Sequence, residues 1–155
     1  GLPRAGSLPA ARIEGLLTGV NEIRRSQQQL QVSPLNGDGK FETSFEAVRK
    51  HLRGCQSRRI IVGAINDPSA LGALRAFEEC GNVERCVVVG QNASPEARAE
   101  LRKKTSGFIG SVAYFPERYG DDLIPMALDI LHRKVVPPAV FIKHQMIHAA
   151  NVKHL

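Results

Sequence analysis

The chain lacks the residues and runs that mark several large protein classes. Its 155 residues include no tryptophan and two tyrosines, and no apolar run approaches the roughly 18 residues of a membrane-spanning helix. Residues 1–4 do not show the charged-then-apolar pattern of a secretion signal. Apolar residues make up 43% and charged residues 23%, near the averages of globular proteins. We therefore expect one soluble, ordered domain without a leader.

Cysteine is also scarce. Cys55, Cys80 and Cys86 cannot all pair with one another, and they form no Cys-x-x-Cys motif. This excludes a zinc ribbon and a thioredoxin-type redox site, and the odd count slightly favours a reducing compartment. Cys80 and Cys86 border apolar runs, so we expect both to be small core residues.

The glycine motifs that bind phosphates are missing. Gly37 and Gly39 are followed by Glu42 where a third glycine would complete a dinucleotide fingerprint. Lys40 precedes Phe41 instead of Ser or Thr, so the phosphate loop of nucleotide hydrolases is absent too. No Gly-x-Ser-x-Gly element supplies a nucleophilic serine. We expect no cofactor and disfavour an enzyme such as a nucleotide-dependent transferase.

A metal site has one weak indication in the sequence. His144 and His148 are four residues apart and could meet as ligands on a helix. No Asp or Glu lies nearby to complete the ligand set, so we predict an exposed histidine pair and no metal.

The net charge of +6 suggests a nucleic-acid partner at first sight. The basic residues, however, cluster near the ends of predicted helices, where they complement the helix dipole, and few aromatic residues are available for base stacking. We predict a basic solvated rim instead of a nucleic-acid groove. The clusters are Arg24-Arg25, Arg49-Lys50, Arg58-Arg59, Arg102-Lys103-Lys104 and Arg133-Lys134.

Five short apolar runs predict strands. The second run is apolar on both faces, which is typical of a strand buried in a parallel sheet. Residues 144–155 are predicted to be an irregular tail. The five runs are residues 30–32, 60–65, 87–89, 108–112 and 139–142.

Helical periodicity fills the intervals between these runs. We predict helices over residues 9–25 and 117–132, the second burying Leu123, Ala127, Ile130 and Leu131. A further helix is predicted after residues 36–39, with Thr43 or Ser44 as its cap. Another begins with Asp67 as its cap and Pro68 in its first turn, and ends at Gly81; a further one starts at Ser94-Pro95.

Strands alternating with helices of ten or more residues require right-handed crossovers. The sequence therefore predicts an α/β fold, a Rossmann-like open parallel sheet with helices on both faces. Ligands of such sheets bind outside the carboxyl ends of the strands.

Polar side chains follow three of the predicted strands at this edge. They are Asn66, Asn92 and Tyr114, and Arg12 of the first helix could add the guanidinium donors. Amides and guanidinium groups suit the adjacent hydroxyls of a sugar, and Tyr114 or Phe115 could cover its apolar face. Alternatively, Asn66 and Asn92 only cap or turn the chain.

Four segments resemble type I periplasmic sugar-binding proteins and the sugar-sensing cores of the lactose-repressor family. They are residues 12–15 (Arg-Ile-Glu-Gly), 64–76, 87–92 and 110–116. The resemblance implies that Arg12, Asn66 and Asn92 hydrogen-bond sugar hydroxyls and that Tyr114 lies at the hinge. Asn92 replaces an Asp of many relatives, and Tyr114 replaces Gln or another polar residue.

The resemblance also implies the domain organisation. Residues 1–155 correspond to a single lobe, with about 1–112 as its ligand-binding core and about 113–155 as hinge and return segments that in the family cross to the other lobe. The roughly equal first lobe, with its share of the pocket, is missing from the sequence. A lone half-site would bind weakly.

The resemblance leaves two functions open, both non-catalytic. The first is sugar binding in a solute-binding receptor of an ABC transporter, which would be periplasmic and would work with a membrane permease. The second is the effector core of a cytoplasmic regulator, which would contact DNA only through an absent N-terminal domain. The partners implied are a small sugar and either the missing lobe or a second copy of the chain. Asp67, the clearest candidate acid for an enzyme, precedes Pro68 and suggests a cap.

Overall fold

The computed structural model describes residues 7–24, 30–55 and 59–154. Residues 1–4, Arg25, Arg58 and Leu155, to which some of the predictions above apply, lie outside these ranges. None of the described helices is both long and apolar enough to cross a membrane. The elements are α1 (Ser7–Ile23), α2 (Phe41–Leu52), β1 (Ile60–Gly63), α3 (Asp67–Glu79), β2 (Cys86–Asn92), α4 (Pro95–Leu101), β3 (Phe108–Ala113), α5 (Tyr119–Leu131) and β4 (Gln145–Ile147).

The sheet has the strand order β1-β2-β3-β4. The pairs β1–β2 and β2–β3 are parallel, whereas β4 runs antiparallel to β3, with Ser111 opposite Ile147. The predicted α/β class and open sheet are confirmed. The prediction of five parallel strands is wrong, because the described residues form four strands and the last is antiparallel.

Both faces of the sheet carry helices. The helices α3 and α4 each connect neighbouring parallel strands, so right-handed crossovers place both on one face. Phe77 of α3 and Leu101 of α4 accordingly share a core with Val88 and Phe108 of the sheet. On the opposite face, α1 packs so closely on β1 that a Cβ at Gly63 would collide with the Leu16 side chain.

The start of α3 differs from the prediction by one residue. The capping acceptor is Asn66, whose Oδ1 accepts a hydrogen bond from the Ser69 amide at 3.0 Å, while Asp67 is the first helical residue. Because Asp67 lies inside the helix, its carboxylate is available to bond other parts of the chain. The last helical residue is Glu79, and Gly81 terminates the helix as predicted, with a φ of 63° that is easy for glycine.

The cap predicted for α2 is wrong. This helix begins at Phe41 after Lys40, which makes no side-chain cap, so Thr43 and Ser44 both lie inside it. Ser44 is buried, and its hydroxyl donates to the carbonyl of Gly37. The start of α2 also packs against α3, since a Cβ at Gly72 would collide with the Phe41 carbonyl oxygen.

Two predicted strands are absent. Residues 30–32 and 139–142 have no strand pairing, and Val32, Val140 and Phe141 are exposed. Pro137 and Pro138 lack the amide donors that a ladder needs, and a short apolar run forms a strand only where a neighbouring strand is within reach. The strand that pairs with β3 lies instead at Gln145–Ile147, inside the segment predicted to be irregular.

The carboxyl-terminal segment is anchored beyond that strand. Ile147 and Val152 are fully buried, and the Asn151 side chain closes the turn between them by donating to the Met146 carbonyl and accepting from the His148 amide. These contacts attach residues 145–152 to the edge of the sheet.

The predicted burial of α5 is wrong. None of its residues is buried, and Leu123, Ile130 and Leu131 are each more than half exposed. The helix itself is confirmed, at Tyr119–Leu131. Its apolar face therefore points away from the described core.

Of the two cysteines predicted to lie in the core, one is buried and the other is exposed. Cys86 is buried at the start of β2, as predicted, and burial raises the pKa of its thiol to about 11. Cys80 is exposed at the end of α3, so its prediction as a core residue is wrong. The apolar run that Cys80 closes ends one turn earlier, at Phe77.

Candidate functional site

The candidate site lies at the carboxyl ends of the parallel strands. β1, β2 and β3 end at Gly63, Asn92 and Ala113, and parallel register brings these ends to one edge. Tyr114 follows β3 directly, and Asn66 lies three residues after β1. The strand-end residues of the sequence prediction therefore do occupy one edge of the sheet.

Arg12 joins the strand ends from the opposite face. Its Nη1 donates to the Ile65 carbonyl at 2.7 Å and lies 3.5 Å from the Asn92 Oδ1, the outer limit of a hydrogen bond. The guanidinium carbon is 5.0 Å from the centre of the Tyr114 ring, within the range of a cation–π contact. The structure thus brings Arg12, Asn92 and Tyr114 into one cluster.

Two residues hold Tyr114 from its other sides. Its hydroxyl donates a short hydrogen bond to the Gln91 Oε1, and the His144 ring is tilted against it with centroids 6.3 Å apart. Sequence reasoning did not assign either residue to Tyr114, because 23 and 30 residues separate them in the chain. Phe115, the other aromatic candidate for a sugar face, packs against the core.

The histidine pair does not form the metal site considered for it. His144 and His148 flank β4 instead of sharing a helix, and four residues of extended chain separate their Cα atoms by about 13 Å. Within residues 7–24, 30–55 and 59–154 there is no group of three or more His, Cys, Asp or Glu that could hold a metal.

Asn66 has a structural role at this edge. Besides capping α3, it donates from Nδ2 to the Gly39 carbonyl at 2.9 Å and so ties the loop before α2 to the start of α3. It is half-buried and adjoins Ile65, whose carbonyl Arg12 holds. Asn66 therefore caps the helix, as one of the two alternatives for it states. Its Oδ1 can still accept one more hydrogen bond, and its Nδ2 can still donate one.

A buried polar group lies beneath Asn92. Asp67 and Ser111 are both fully buried, and the Ser111 hydroxyl donates to the Asp67 Oδ1 at 2.6 Å. Burial raises the pKa of Asp67, and hydrogen bonds from Ser111 and from the amides of Ser94 and Gln91 oppose that rise. This carboxyl group is not accessible from the surface of the site.

The exposed part of the site is suited to neutral, hydroxyl-bearing molecules. A guanidinium has five N–H donors, more than the Ile65 carbonyl can use, and an amide both donates and accepts. The Tyr114 ring adds an apolar surface beside them. Such a surface can bind adjacent hydroxyls and the C–H face of a sugar or polyol.

Comparison with known proteins supports the fold strongly. No protein-family model and no curated protein sequence matches the chain, whereas many solved structures do. An ABC transporter solute-binding protein from Mycobacterium smegmatis with bound glycerol is 19% identical, with a TM-score of 0.76 over 94% of this chain and 49% of that one. A solute-binding protein from Bacillus halodurans C-125 with bound myo-inositol is 20% identical, with a TM-score of 0.73 over 92% of this chain and 47% of that one.

A third similar structure holds a sugar. It is an ABC transporter solute-binding protein from Agrobacterium vitis bound with α-D-tagatopyranose, at 16% identity and a TM-score of 0.73, over 93% of this chain and 46% of that one. None of the three is a transcription regulator, so they give the regulator alternative no support. The resemblance seen in the sequence is confirmed at the level of the fold: over most of its length the chain has the fold of type I periplasmic sugar-binding proteins, and it spans about half the length of the solved structures that it matches.

Proposed function

We propose that this chain is one lobe of a non-catalytic, periplasmic solute-binding receptor of an ABC transporter, and that its ligand is a small sugar or polyol. The observation that carries the proposal is the cluster of Arg12, Asn92 and Tyr114 at the carboxyl edge of the parallel strands. Similar folds hold glycerol, myo-inositol and α-D-tagatopyranose in the solved structures named above.

Each member of the cluster has a distinct part in the proposed contact. Arg12 supplies charge-assisted donors, which contribute about 1.5–3 kcal/mol per hydrogen bond. Asn92 is exposed and offers an amide that donates and accepts. Tyr114 covers the apolar side of the ligand. Asn66, at the start of α3, contributes the hydrogen bonds that it can still make.

The chain supplies one wall of the pocket under this proposal. Residues about 1–112 form the ligand-binding core, and residues about 113–155 are hinge and return segments that contact a second lobe. The exposed apolar face of α5 supports this division, because monomeric proteins rarely leave such a face uncovered. The second lobe, or a second copy of the chain, closes the other side of the pocket, and the closed receptor delivers its ligand to a membrane permease.

Binding without turnover is supported by the position of Asp67. It was the clearest acidic candidate near the strand ends, and it lies fully buried with both carboxylate oxygens accepting hydrogen bonds from the protein. A general acid must reach its substrate directly or through one water. Asp67 is therefore better suited to structure than to catalysis.

The test is an NMR titration of the isotope-labelled chain with myo-inositol and, separately, with D-tagatose. We expect weak binding, with a Kd near 1 mM (about −4 kcal/mol) or above, because half of the contacts are missing. The amide chemical shifts of Arg12, Asn92 and Tyr114 should change on binding, and those at the amino-terminal ends of the strands should not. Absence of shifts at these residues for both ligands up to tens of millimolar contradicts the proposed function.

Asn92→Gly is the sharpest variant for this test. Asn92 has a φ of 105°, so glycine can keep the backbone conformation, and the substitution removes only the side-chain amide. We expect affinity to fall about tenfold, equivalent to about 1.4 kcal/mol. Asn82→Gly is the matched control, because Asn82 lies before β2, at the opposite end of the strand. Equal losses in the two variants would remove Asn92 from the site.

A further inference from the structure

Two consecutive non-glycine residues at the candidate site have left-handed backbone. Asn92 has a φ of 105° and Ala93 a φ of 51°. Asparagine tolerates this region, but alanine seldom adopts it. Such a conformation persists only where the surrounding structure holds it. The reason must therefore lie in the contacts of the 92–94 turn.

Three hydrogen bonds from side chains hold this turn. The Ala93 amide donates to the Ser111 Oγ at 2.9 Å, and the Ser94 amide donates to the Asp67 Oδ2 at 2.6 Å. From outside, the Arg98 Nε donates to the Ala93 carbonyl at 2.7 Å. The acceptors of the two amides belong to β3 and α3, elements far from the turn in the sequence.

The buried partners are themselves joined. The Ser111 hydroxyl accepts from Ala93 and donates to Asp67 Oδ1 at 2.6 Å, so one chain of hydrogen bonds crosses from β3 to α3 beneath the turn. Gly90 makes room for it, because a Cβ there would collide with the Asp67 carboxylate. Asp67, Ser111 and Gly90 thus form one unit, called here the buried anchor.

We propose that the buried anchor positions the candidate site, holding the 92–94 turn left-handed so that the Asn92 amide stays beside the Arg12 guanidinium. Asp67 and Ser111 are fully buried and cannot touch a ligand, so they are positioning residues that act through Asn92. The anchor also fixes the start of α3, next to Asn66. Its value to ligand binding rests on the proposed function, whereas its effect on the turn does not.

The test measures the turn itself in the labelled chain without ligand. One-bond Cα–Hα couplings and intraresidue amide–Hα distances report the sign of φ at Asn92 and Ala93. In Ser111→Ala, both residues should lose the left-handed signature while the core strands keep their amide shifts. Asp67→Asn, which conserves volume and one acceptor, should show a smaller change of the same kind.

Ser69→Ala is the matched control. Ser69 is also a buried serine of this region, but its hydroxyl has no hydrogen-bond partner and so does not belong to the chain of hydrogen bonds beneath the turn. Its removal should leave the signature of Asn92 and Ala93 unchanged. If Ser111→Ala and Asp67→Asn also leave it unchanged, the positioning role is overturned, whatever the ligand results are.

Ligand binding is then measured on the same variants with myo-inositol and D-tagatose. We expect affinity to fall about tenfold in Ser111→Ala and less than twofold in Ser69→Ala. If neither ligand binds the wild-type chain, the proposed function fails while the couplings still decide the anchoring of the turn. If a ligand binds and Ser111→Ala binds it equally well despite a changed turn, the positioning role in the site is overturned.

Discussion

Helices α3 and α5 have the same length and a similar apolar pattern, yet their surroundings are opposite. Five apolar residues of α3 are at most 3% exposed, namely Ala70, Ala73, Leu74, Ala76 and Phe77, and Leu71 is partly buried. None of the residues of α5 is buried, and five of its large apolar residues are 50 to 76% exposed: Leu123, Ile124, Leu128, Ile130 and Leu131. Helix α3 stabilises the described core, whereas α5 presents an exposed apolar surface.

The difference shows that an apolar stripe does not identify its partner. The face of α3 packs on β2 and β3, the two strands that follow it in the sequence. Helix α5 follows the last parallel strand, β3. No other element among the described residues covers its apolar face. A chain that spans about half the length of its structural relatives is expected to leave such a face open.

The largest effect expected is the loss of the core aromatic ring. Phe77→Ala should lower the free energy of unfolding by about 3–5 kcal/mol, because it leaves a cavity in the core. Leu128→Ala in α5 is the paired change and should cost less than about 1 kcal/mol, since that side chain is already half exposed. Urea unfolding monitored by circular dichroism measures both; equal losses would mean that α5 is as deeply packed as α3.

Glycines test the same contrast at the backbone. Gly72→Ala should destabilise the chain by about 1–3 kcal/mol, because the new methyl group meets the Phe41 carbonyl where α2 crosses α3. Gly120→Ala in α5 meets no atom closer than 3.7 Å and gains helix propensity, so it should stabilise by up to about 1 kcal/mol. Opposite signs in urea unfolding are the expected result, and a loss in both variants would contradict it.

How far the sequence predicts the fold follows from how local each signal is. The centre of each parallel strand, the start of α4 at Ser94-Pro95 and the end of α3 at Gly81 depend on neighbouring residues, and all are confirmed. The absent strand at 139–142 and the true strand at Gln145–Ile147 depend on which segment reaches β3. That choice is made by long-range pairing, which a short apolar run does not encode.

The site shows the same limit. Strand ends of a parallel sheet must share an edge, so the grouping of Asn92 and Tyr114 follows from topology alone. The Gln91 hydrogen bond to Tyr114 and the ring contact of His144 depend on side-chain directions and could not be foreseen. Capping by Asn66 was one of the two alternatives that the sequence offered for this residue. The buried hydrogen bond from Ser111 to Asp67 joins residues 44 apart, and no local sequence pattern indicates it.

The exposed face of α5 should make the isolated chain self-associate. Ile124→Glu places a charge on that face and should weaken association at least tenfold, or about 1.4 kcal/mol, without lowering the free energy of unfolding. Sedimentation velocity over a wide concentration range measures the change. The control is Thr105→Glu, which adds the same single negative charge at an exposed position after α4. A wild-type chain that remains monomeric at high concentration would show that the face is not adhesive by itself.

The smallest effect concerns how the two helices begin, since α3 starts with a buried carboxyl group and α5 with exposed ones. Burial raises the pKa of Asp67 in the folded chain above its ordinary value of 3.8, and the opposing hydrogen bonds keep the effect modest. A raised folded-state pKa means that the folded chain holds the proton more tightly, so stability from this group is present at low pH and is lost as the pH rises through the folded pKa. The free energy of unfolding of wild type relative to Asp67→Asn should therefore decline as the pH rises from below 3.8, measured by urea unfolding at each pH. A difference that grows with pH would mean that the hydrogen bonds from Ser111 and Ser94 outweigh burial, and that the start of α3 is stabilised by a carboxylate instead of a carboxylic acid.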